Sequence, residues 1–192
     1  YLSHCHVLVV GLGGVGAYAA EQICRAGIGH MTIVDADTVN DSNINRQLPA
    51  LHSTLGMQKA EVVGQRLLDI NPRLKLTILN EFLRDERTEE VLSAQKYDFI
   101  VDAIDSLSPK AYLLYHAYRR EIPIVSSMGA GAKIDPSQVK IADISKTCNC
   151  ALAKAVRKRL RGMGLNKGIP VVFSTEIANP EAVVEVENEQ CK

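Results

Sequence analysis

The sequence predicts an α/β fold with a mainly parallel sheet and helices on both of its faces. Short apolar, β-branched runs alternate along the chain with amphipathic segments that have a helical period. A glycine-rich turn, "GLGGVG" at 11–16, joins the first of these runs to the first helical segment. An acidic residue, Asp35, ends the second run, where a parallel sheet presents its strand ends to a ligand.

The elements follow from these patterns in chain order. Gly27 predicts the end of the first helix, and Asn71-Pro72 the end of the second. Strands are predicted at 6–10, 30–37, 74–79, 97–105, 122–128, 137–144 and 171–175. Helices are predicted at 17–29, 58–72, 88–94, 109–121 and 151–162.

The length of 192 residues suits one domain. We expect residues 1–130 to form a Rossmann-like, nucleotide-binding half. Residues 131–192 are expected to extend the sheet with a strand and helix region that includes a basic helix. The chain begins with Tyr1 rather than Met, which predicts a trimmed fragment. We expect it to be truncated at both ends.

Composition narrows the class of protein. No run approaches about 18 consecutive apolar residues, so no membrane span is predicted. The 5 cysteines have no disulfide-framework spacing, which favours a reducing, cytoplasmic compartment. The roles of Cys148, Cys150 and Cys191 stay open. Net charge is zero, but residues 140–170 are strongly basic, which favours a contact with a polyanion, with a solvated helix face as the alternative.

The glycines predict a phosphate-binding turn. Gly11, Gly13 and Gly16 follow the G-x-G-x-x-G pattern with Gly14 as an extra glycine, and each allows a tight turn or a close backbone approach. The helix beyond offers free N–H groups to phosphate. Asp35 is correctly spaced to accept ribose hydroxyls, and Asp37 ends the same acidic stretch. These features predict a nucleotide without deciding between NAD and ATP.

The segment "DSNINRQ" at 41–47 favours a triphosphate. Asn43 and Gln47 supply neutral donors, while Arg46 and the later Lys59 supply cations. NAD carries only a pyrophosphate, which the glycine turn and the helix end already hold. Additional cations suit a phosphate chain whose charge changes during reaction.

The stretch "VDAIDS" at 101–106 places two acids at the end of a central strand. Asp105 is the candidate ligand for Mg²⁺, together with phosphate oxygens and water. Asp102 is expected to face the sheet or to cap the loop. The alternative for Asp105 is an N-cap of the next helix, although Ser108 can also take that position.

Together these motifs resemble those of the ubiquitin-activating (E1)-like superfamily, which includes the HesA, MoeB and ThiF proteins. The matching segments are "GLGGVG", "IVDAD", "NINRQ", "GMQKAE" and "DAID". The resemblance implies ATP and Mg²⁺ binding, adenylation of a carboxylate and release of pyrophosphate. It also implies that Asp35 binds ribose and that Asp105 is linked to magnesium. Phosphate and transition-state roles are implied for Asn43, Arg46, Gln47 and Lys59.

Within that superfamily the chain is most similar to the tRNA threonylcarbamoyladenosine dehydratases, of the TcdA or CsdL type. The similarity lies in "DAIDSLSPKAYLL", "GAGAKIDPSQVKIADISKT" and "AKAVRKRLRGMG" followed by "VVFSTE". Ser106 replaces the Asn typical of carrier-protein adenylyltransferases, and their Cys-x-x-Cys zinc pairs are missing from the sequence. The resemblance implies ATP-dependent cyclisation of the modified adenosine beside the anticodon, a homodimer and a possible sulfur-transfer partner.

Three alternatives stay open. The first is an adenylyltransferase that activates the C-terminal glycine of a ubiquitin-like sulfur carrier. The second is a nicotinamide oxidoreductase, and the third is an RNA-binding module without catalysis. The predicted basic helix bears on the choice, because one of its faces suits the phosphates of tRNA. That face carries Lys154, Arg157, Lys158 and Arg161, while Ala153, Val156 and Leu160 are expected to pack inward.

Overall fold

The structure is a computed structural model, and it describes residues 1–178. The strands are β1 His6–Val10, β2 His30–Val34, β3 Lys75–Leu79, β4 Phe99–Asp102, β5 Ile124–Ser127, β6 Val139–Asp143 and β7 Pro170–Ser174. The helices are α1 Gly16–Arg25, α2 Lys59–Ile70, α3 Asp85–Ala94, α4 Leu107–Arg119 and α5 Ala151–Gly162. Every strand and helix predicted from the sequence is present. The end of the predicted extension, residues 179–192 with Cys191, lies outside the described part.

The strands form one sheet in the order β3-β2-β1-β4-β5-β7-β6. Neighbouring strands are parallel except that β6 runs antiparallel to β7. The predicted Rossmann-like sheet is therefore confirmed, and the C-terminal strands β7 and β6 extend it at one edge. Strand order reverses between β1 and β4, so a crevice forms where their carboxyl ends diverge.

The two faces of the sheet carry separate hydrophobic cores. Along β1, Val7 and Val9 pack with α1 and α2, whereas Leu8 and Val10 pack with α3, α4 and α5. Side chains alternate across a strand, so a strand covered on both faces must be apolar throughout. This explains why β1 reads as a continuous apolar run.

Several element ends differ from the sequence prediction. Helix α1 ends at Arg25, and Gly27 takes a φ of 89° that reverses the chain. Helix α3 begins at Asp85, three residues before the predicted start. Strand β4 stops at Asp102 because the next residues turn toward α4. A short 3₁₀ turn at Asp41–Asn43, inside "DSNINRQ", was not predicted.

One face of the β7–β6 end lacks a covering helix within residues 1–178. Helix α5 covers the opposite face, where Val171 and Phe173 are buried. On the open face, Val139 is 49% exposed and Ile141 is 76% exposed. Val172 lies beside Ile141 in the register of the sheet. Among residues 1–178, this part of the sheet is thus covered on one side only.

The helices in the described part of the chain are too short or too polar to cross a bilayer. This agrees with the sequence, in which no long apolar run is found.

Candidate nucleotide site

A cavity, here called the nucleotide cavity, opens at the carboxyl ends of β1 to β4. Its walls come from the glycine turn, the end of β2, the connection Glu81–Leu83 after β3 and the turn after β4. Gln47 and Lys59 complete it. These segments are far apart in sequence, and the parallel sheet brings them together because its strand ends share one edge.

The glycine turn lies against the turn after β4. Gly11 has a φ of 87°, and a Cβ added there would be 2.7 Å from the carbonyl oxygen of Ala103. A Cβ on Gly16 would overlap the Gly11 carbonyl. Both positions therefore require glycine. The N-cap of α1, Val15, makes no side-chain cap bond, so the first N–H groups of α1 are left for a phosphate.

The Asp35 carboxylate lines the cavity at the end of β2. It accepts the N–H groups of Leu12 at 2.6 Å and Asp37 at 2.8 Å. Burial raises its pKa, and these two N–H groups oppose the rise. The carboxylate is thus held in one orientation at the predicted ribose position.

Lys59 and Asp37 form an ion pair in the same wall. The Lys59 ammonium lies 2.9 Å from Asp37 Oδ2, and its side chain is 6% exposed whereas that of Asp37 is 54% exposed. The backbone N–H of Lys59 also donates to the Asp37 carbonyl. Because the cation is buried and its partner is open to solvent, an incoming phosphate can compete for Lys59.

Gln47 supports the fit of a ligand to this cavity. Its Oε1 is buried and has no hydrogen-bond partner among residues 1–178. Its Nε2 would lie 3.6 Å from a Cβ on Gly13, so the side chain borders the phosphate turn. A buried acceptor without a donor is costly, and a ligand hydroxyl or a water would satisfy it.

Asn43 and Arg46 do not line the cavity. Asn43 is buried, and its Oδ1 accepts the N–H of Asn40 at 3.1 Å, which stabilises the 3₁₀ turn. The Arg46 guanidinium donates to the Ser42 carbonyl at 2.9 Å and to Asn45 Oδ1 at 2.8 Å. Its Cγ nevertheless lies near Gly14, so a rotation of the exposed end would bring the guanidinium to the glycine turn. The ligand roles of these two residues stay predictions.

A buried ion pair holds the turn after β4. Asp102 and Lys110 are both fully buried, and Lys110 Nζ lies 2.8 Å from Asp102 Oδ2. Asp102 also accepts the Ser126 hydroxyl at 2.5 Å and the Ile104 N–H at 3.0 Å. Lys110 donates to the Ile104 carbonyl at 2.7 Å. Both backbone groups of Ile104 are therefore fixed, directly before Asp105.

Asp105 is exposed and lines the nucleotide cavity, where the structure gives its carboxylate no partner within residues 1–178. Helix α4 begins at Leu107 with Ser106 as its N-cap. The capping alternatives for Asp105 and Ser108 are therefore wrong, and the expectation that Asp102 faces the sheet or caps the loop is confirmed. Asp105 is free to bind a ligand.

Sequence reasoning missed Lys110, Ser126 and Phe82. A signal for Lys110 was present, because it lies in the apolar stripe of α4 with Leu113, Leu114 and Ala117. A lysine in such a stripe needs a buried partner. Phe82 is 56% exposed at the edge of the cavity, where its ring can contact a base.

The described residues contain no group of three or more His, Cys, Asp or Glu side chains that could hold a metal ion. The donor set of the nucleotide cavity fits Mg²⁺ only when phosphate oxygens and water supply most of the ligands.

The basic face of α5 forms as predicted, with one exception. Ala153, Val156 and Leu160 are buried. Lys154, Lys158 and Arg161 are exposed. Arg157 is half-buried, and its guanidinium donates to the carbonyl of Thr147 at 2.9 Å and to the Thr147 hydroxyl. Arg157 therefore anchors the loop before α5, and three cations remain as candidates for tRNA.

A profile of the ThiF family matches residues 1–181. The chain belongs to the ThiF family. It is 41% identical over 194 residues to the tRNA threonylcarbamoyladenosine dehydratase of Bacillus subtilis, covering 100% of this chain and 76% of that protein. It is 42% identical over 178 residues to the Escherichia coli dehydratase, covering 89% of this chain and 66% of that protein.

A crystal structure of the Escherichia coli dehydratase TcdA in complex with ATP has a TM-score of 0.87 to this chain. The identity is 39%, and the match covers 92% of this chain and 75% of that one. The Escherichia coli molybdopterin-synthase adenylyltransferase is 32% identical over 134 residues, or 70% of this chain. The similarity to the dehydratases thus extends further along the chain than the similarity to the carrier-protein enzyme.

Substitution Lys110→Met tests the buried ion pair. We expect a loss of about 3–5 kcal/mol in the free energy of unfolding, because Asp102 would remain buried and charged without its cation. Chemical denaturation measures the change. Lys96→Met, at an exposed position, is the matched control and should stay within about 0.5 kcal/mol of the parent. Equal stability of the two variants would contradict the assignment.

Proposed function

We propose that this chain is the adenylating domain of a tRNA threonylcarbamoyladenosine dehydratase. ATP reacts with the threonyl carboxylate of the modified adenosine, and pyrophosphate leaves. The neighbouring carbamoyl group then attacks the activated carboxyl carbon, AMP leaves, and a ring closes with net loss of water from the adenosine. The observation that supports this choice over carrier-protein activation is similarity to the dehydratases along 100% of the chain.

The nucleotide cavity suits the first step. The glycine turn and the start of α1 would hold phosphates, and Asp35 would accept ribose hydroxyls. Lys59 would stabilise the negative charge that develops at the α-phosphate. Asp105, on the turn after β4, would hold Mg²⁺ together with phosphate oxygens and water. Bound there, Mg²⁺ would offset phosphate charge as pyrophosphate departs.

The second step requires little chemistry from the protein. The carbamoyl nucleophile is part of the substrate, so no enzyme thioester is needed. An intramolecular partner can reach effective molarities of about 10⁵ M or more, which is worth several kcal/mol of the barrier. The protein would mainly position the adenosine and exclude water. Neither Cys148, which is exposed, nor Cys150 needs to react in this scheme.

The exposed cations of α5 support binding of the tRNA. Lys154, Lys158 and Arg161 form a stripe on one face of the helix. Such a stripe binds phosphates without reading the sequence, and its affinity falls as salt rises. A cytoplasmic location agrees with a tRNA substrate and with the free state of the 4 described cysteines. The possible sulfur-transfer partner stays a prediction.

We also infer a homodimer in which a second copy covers the open face of β7 and β6. Val139, Ile141 and Val172 present an apolar surface there, and Ile177 nearby in the chain is 78% exposed.

Substituting Ile141→Asp should shift the protein toward monomer, because a charge would be buried in the interface. Light scattering after size exclusion measures the mass. Lys140→Asp, whose side chain points the other way on β6, is the control.

Mass spectrometry of tRNA tests the function directly. Incubation of the full-length protein with ATP and tRNA that carries threonylcarbamoyladenosine should remove one water from that nucleoside. ATP–pyrophosphate exchange should be stimulated by this tRNA and not by a carrier protein ending in Gly-Gly. Exchange with the carrier alone would favour the sulfur-carrier alternative. Binding of tRNA without ATP consumption, unchanged in Asp105→Ala, would favour the RNA-binding module. Preferential NAD binding in a thermal shift assay would favour the oxidoreductase.

The substitutions Arg46→Ala and Lys59→Ala test the phosphate roles. Each should lower kcat more than it weakens ATP binding, because charge at the α-phosphate develops mainly in the transition state. We expect a loss of about 10²-fold or more in kcat. Steady-state kinetics and equilibrium ATP binding separate the two effects. Arg73→Ala, an exposed site just before β3, is the control. Weaker ATP binding with unchanged kcat would contradict these roles.

A further inference from the structure

A second cavity, here called the side cavity, opens next to the nucleotide cavity. The two share Ser106 and Pro109, which flank the start of α4. Three parts of the chain enclose the side cavity: the start of α3, the first turns of α4 and the second half of α5. A molecule bound in it would therefore be next to Ser106, the residue that follows Asp105.

Two arginines line the side cavity from different helices. Arg84 precedes α3 and Arg159 belongs to α5, and both are exposed. Neither guanidinium makes an ion pair or a hydrogen bond within residues 1–178. The neighbouring Arg87 and Arg120 are both paired with glutamates. Free guanidinium groups in a concave site suit phosphate, which they can bind through two parallel hydrogen bonds.

Arg84 also connects the two cavities. Its guanidinium carbon lies 4.7 Å from the ring centre of Phe82, which lines the nucleotide cavity. The stack limits the positions of the Arg84 side chain without using its hydrogen-bond donors. The charge is therefore held at the boundary between the cavities.

Helix α5 contributes both the basic face and one wall of the side cavity. Arg159 follows Lys158 directly, so the two side chains are about 100° apart around the helix. Arg159 is about 140° around the helix from Lys154, so RNA bound along the basic face would have to bend around α5 to place one nucleotide at Arg159. The apolar surfaces of Pro109, Tyr112 and Met163 provide room for a ribose or a base inside.

We propose that Arg84 and Arg159 bind the phosphodiester groups on either side of the adenosine that reacts, and that the side cavity is its entrance to the nucleotide cavity. The proposal rests on the proposed function, since it assumes an RNA substrate. In this proposal, helix α5 has two roles in RNA binding. Its exposed stripe would bind the body of the RNA, and Arg159 would direct the reacting nucleotide toward Asp105.

The test uses the full-length protein, ATP and tRNA that carries threonylcarbamoyladenosine, with Arg84→Ala, Arg159→Ala and the double variant. Each single variant should raise KM for tRNA by roughly tenfold at low salt, because a charge-assisted hydrogen bond is lost. The slope of log KM against log salt concentration should fall by about 0.7 for each arginine. Affinity for ATP should stay unchanged. Arg119→Ala, exposed at the far end of α4, is the charge-matched control.

Two further variants separate phosphate binding from a structural role. Arg159→Lys should recover most of the salt slope, since a lysine keeps the charge. Asp85, which places a carboxylate in the same cavity, should oppose RNA phosphates. Asp85→Asn should therefore lower KM for tRNA by about twofold. A gain of this kind cannot result from misfolding.

The outcomes distinguish this inference from the proposed function. If the parent protein does not convert the tRNA, the proposed function fails, and the inference fails with it. If the parent converts tRNA and the Arg84 and Arg159 variants behave as Arg119→Ala does, only the entrance is wrong. A fall in ATP affinity equal to the rise in KM for tRNA would also overturn it, because the arginines would then act on the nucleotide cavity itself.

Discussion

The buried ion pair between Asp102 and Lys110 is the contact on which the candidate site depends. It joins the end of β4 to α4, and through Ile104 it fixes the turn between them. That turn lies against Gly11 on one side and leads into Asp105 on the other. Two opposite charges without solvent are stabilising only when their remaining hydrogen bonds are satisfied. Ser126 and the Ile104 backbone supply such bonds, so the geometry of the turn and the stability of the pair depend on each other.

The two cations expected to bind phosphate, Lys59 and Arg46, have partners that are more easily exchanged. Lys59 is paired with an exposed carboxylate, and Arg46 is bound to a carbonyl and an amide oxygen on its own loop. Phosphate oxygens can replace these acceptors in charge-assisted hydrogen bonds, so the exchange leaves neither cation without a partner. The rigid and the exchangeable parts of the site are thus separate. The turn that carries Asp105 is fixed by buried charges, whereas the groups expected to bind phosphate can change partners.

The nucleotide cavity, the side cavity and the open face of β7 and β6 lie on different parts of the sheet. The nucleotide cavity lies at the strand ends, and α3, α4 and α5 on one face surround the side cavity. On the other face, α1 and α2 pack with β1 and β2, and no helix within residues 1–178 covers β7 and β6. In the proposed arrangement, ATP, the body of the RNA and a second copy of the chain would each meet a different surface, and only the reacting adenosine would enter the nucleotide cavity. The proposed contacts would therefore not compete for one surface.

The sequence by itself determined the order of strands and helices, the glycine turn and the positions of Asp35 and Asp105 at strand ends. These features depend on periodicity and spacing within short segments, which are visible in the sequence itself. Tertiary structure decided the contacts of Lys110 and the direction of Arg46. It also placed Arg84 and Arg159, which are 75 positions apart in the sequence, in the wall of one cavity. The direction of a side chain depends on which neighbours the fold brings to it. Those neighbours come from other elements, so spacing along the chain does not reveal them.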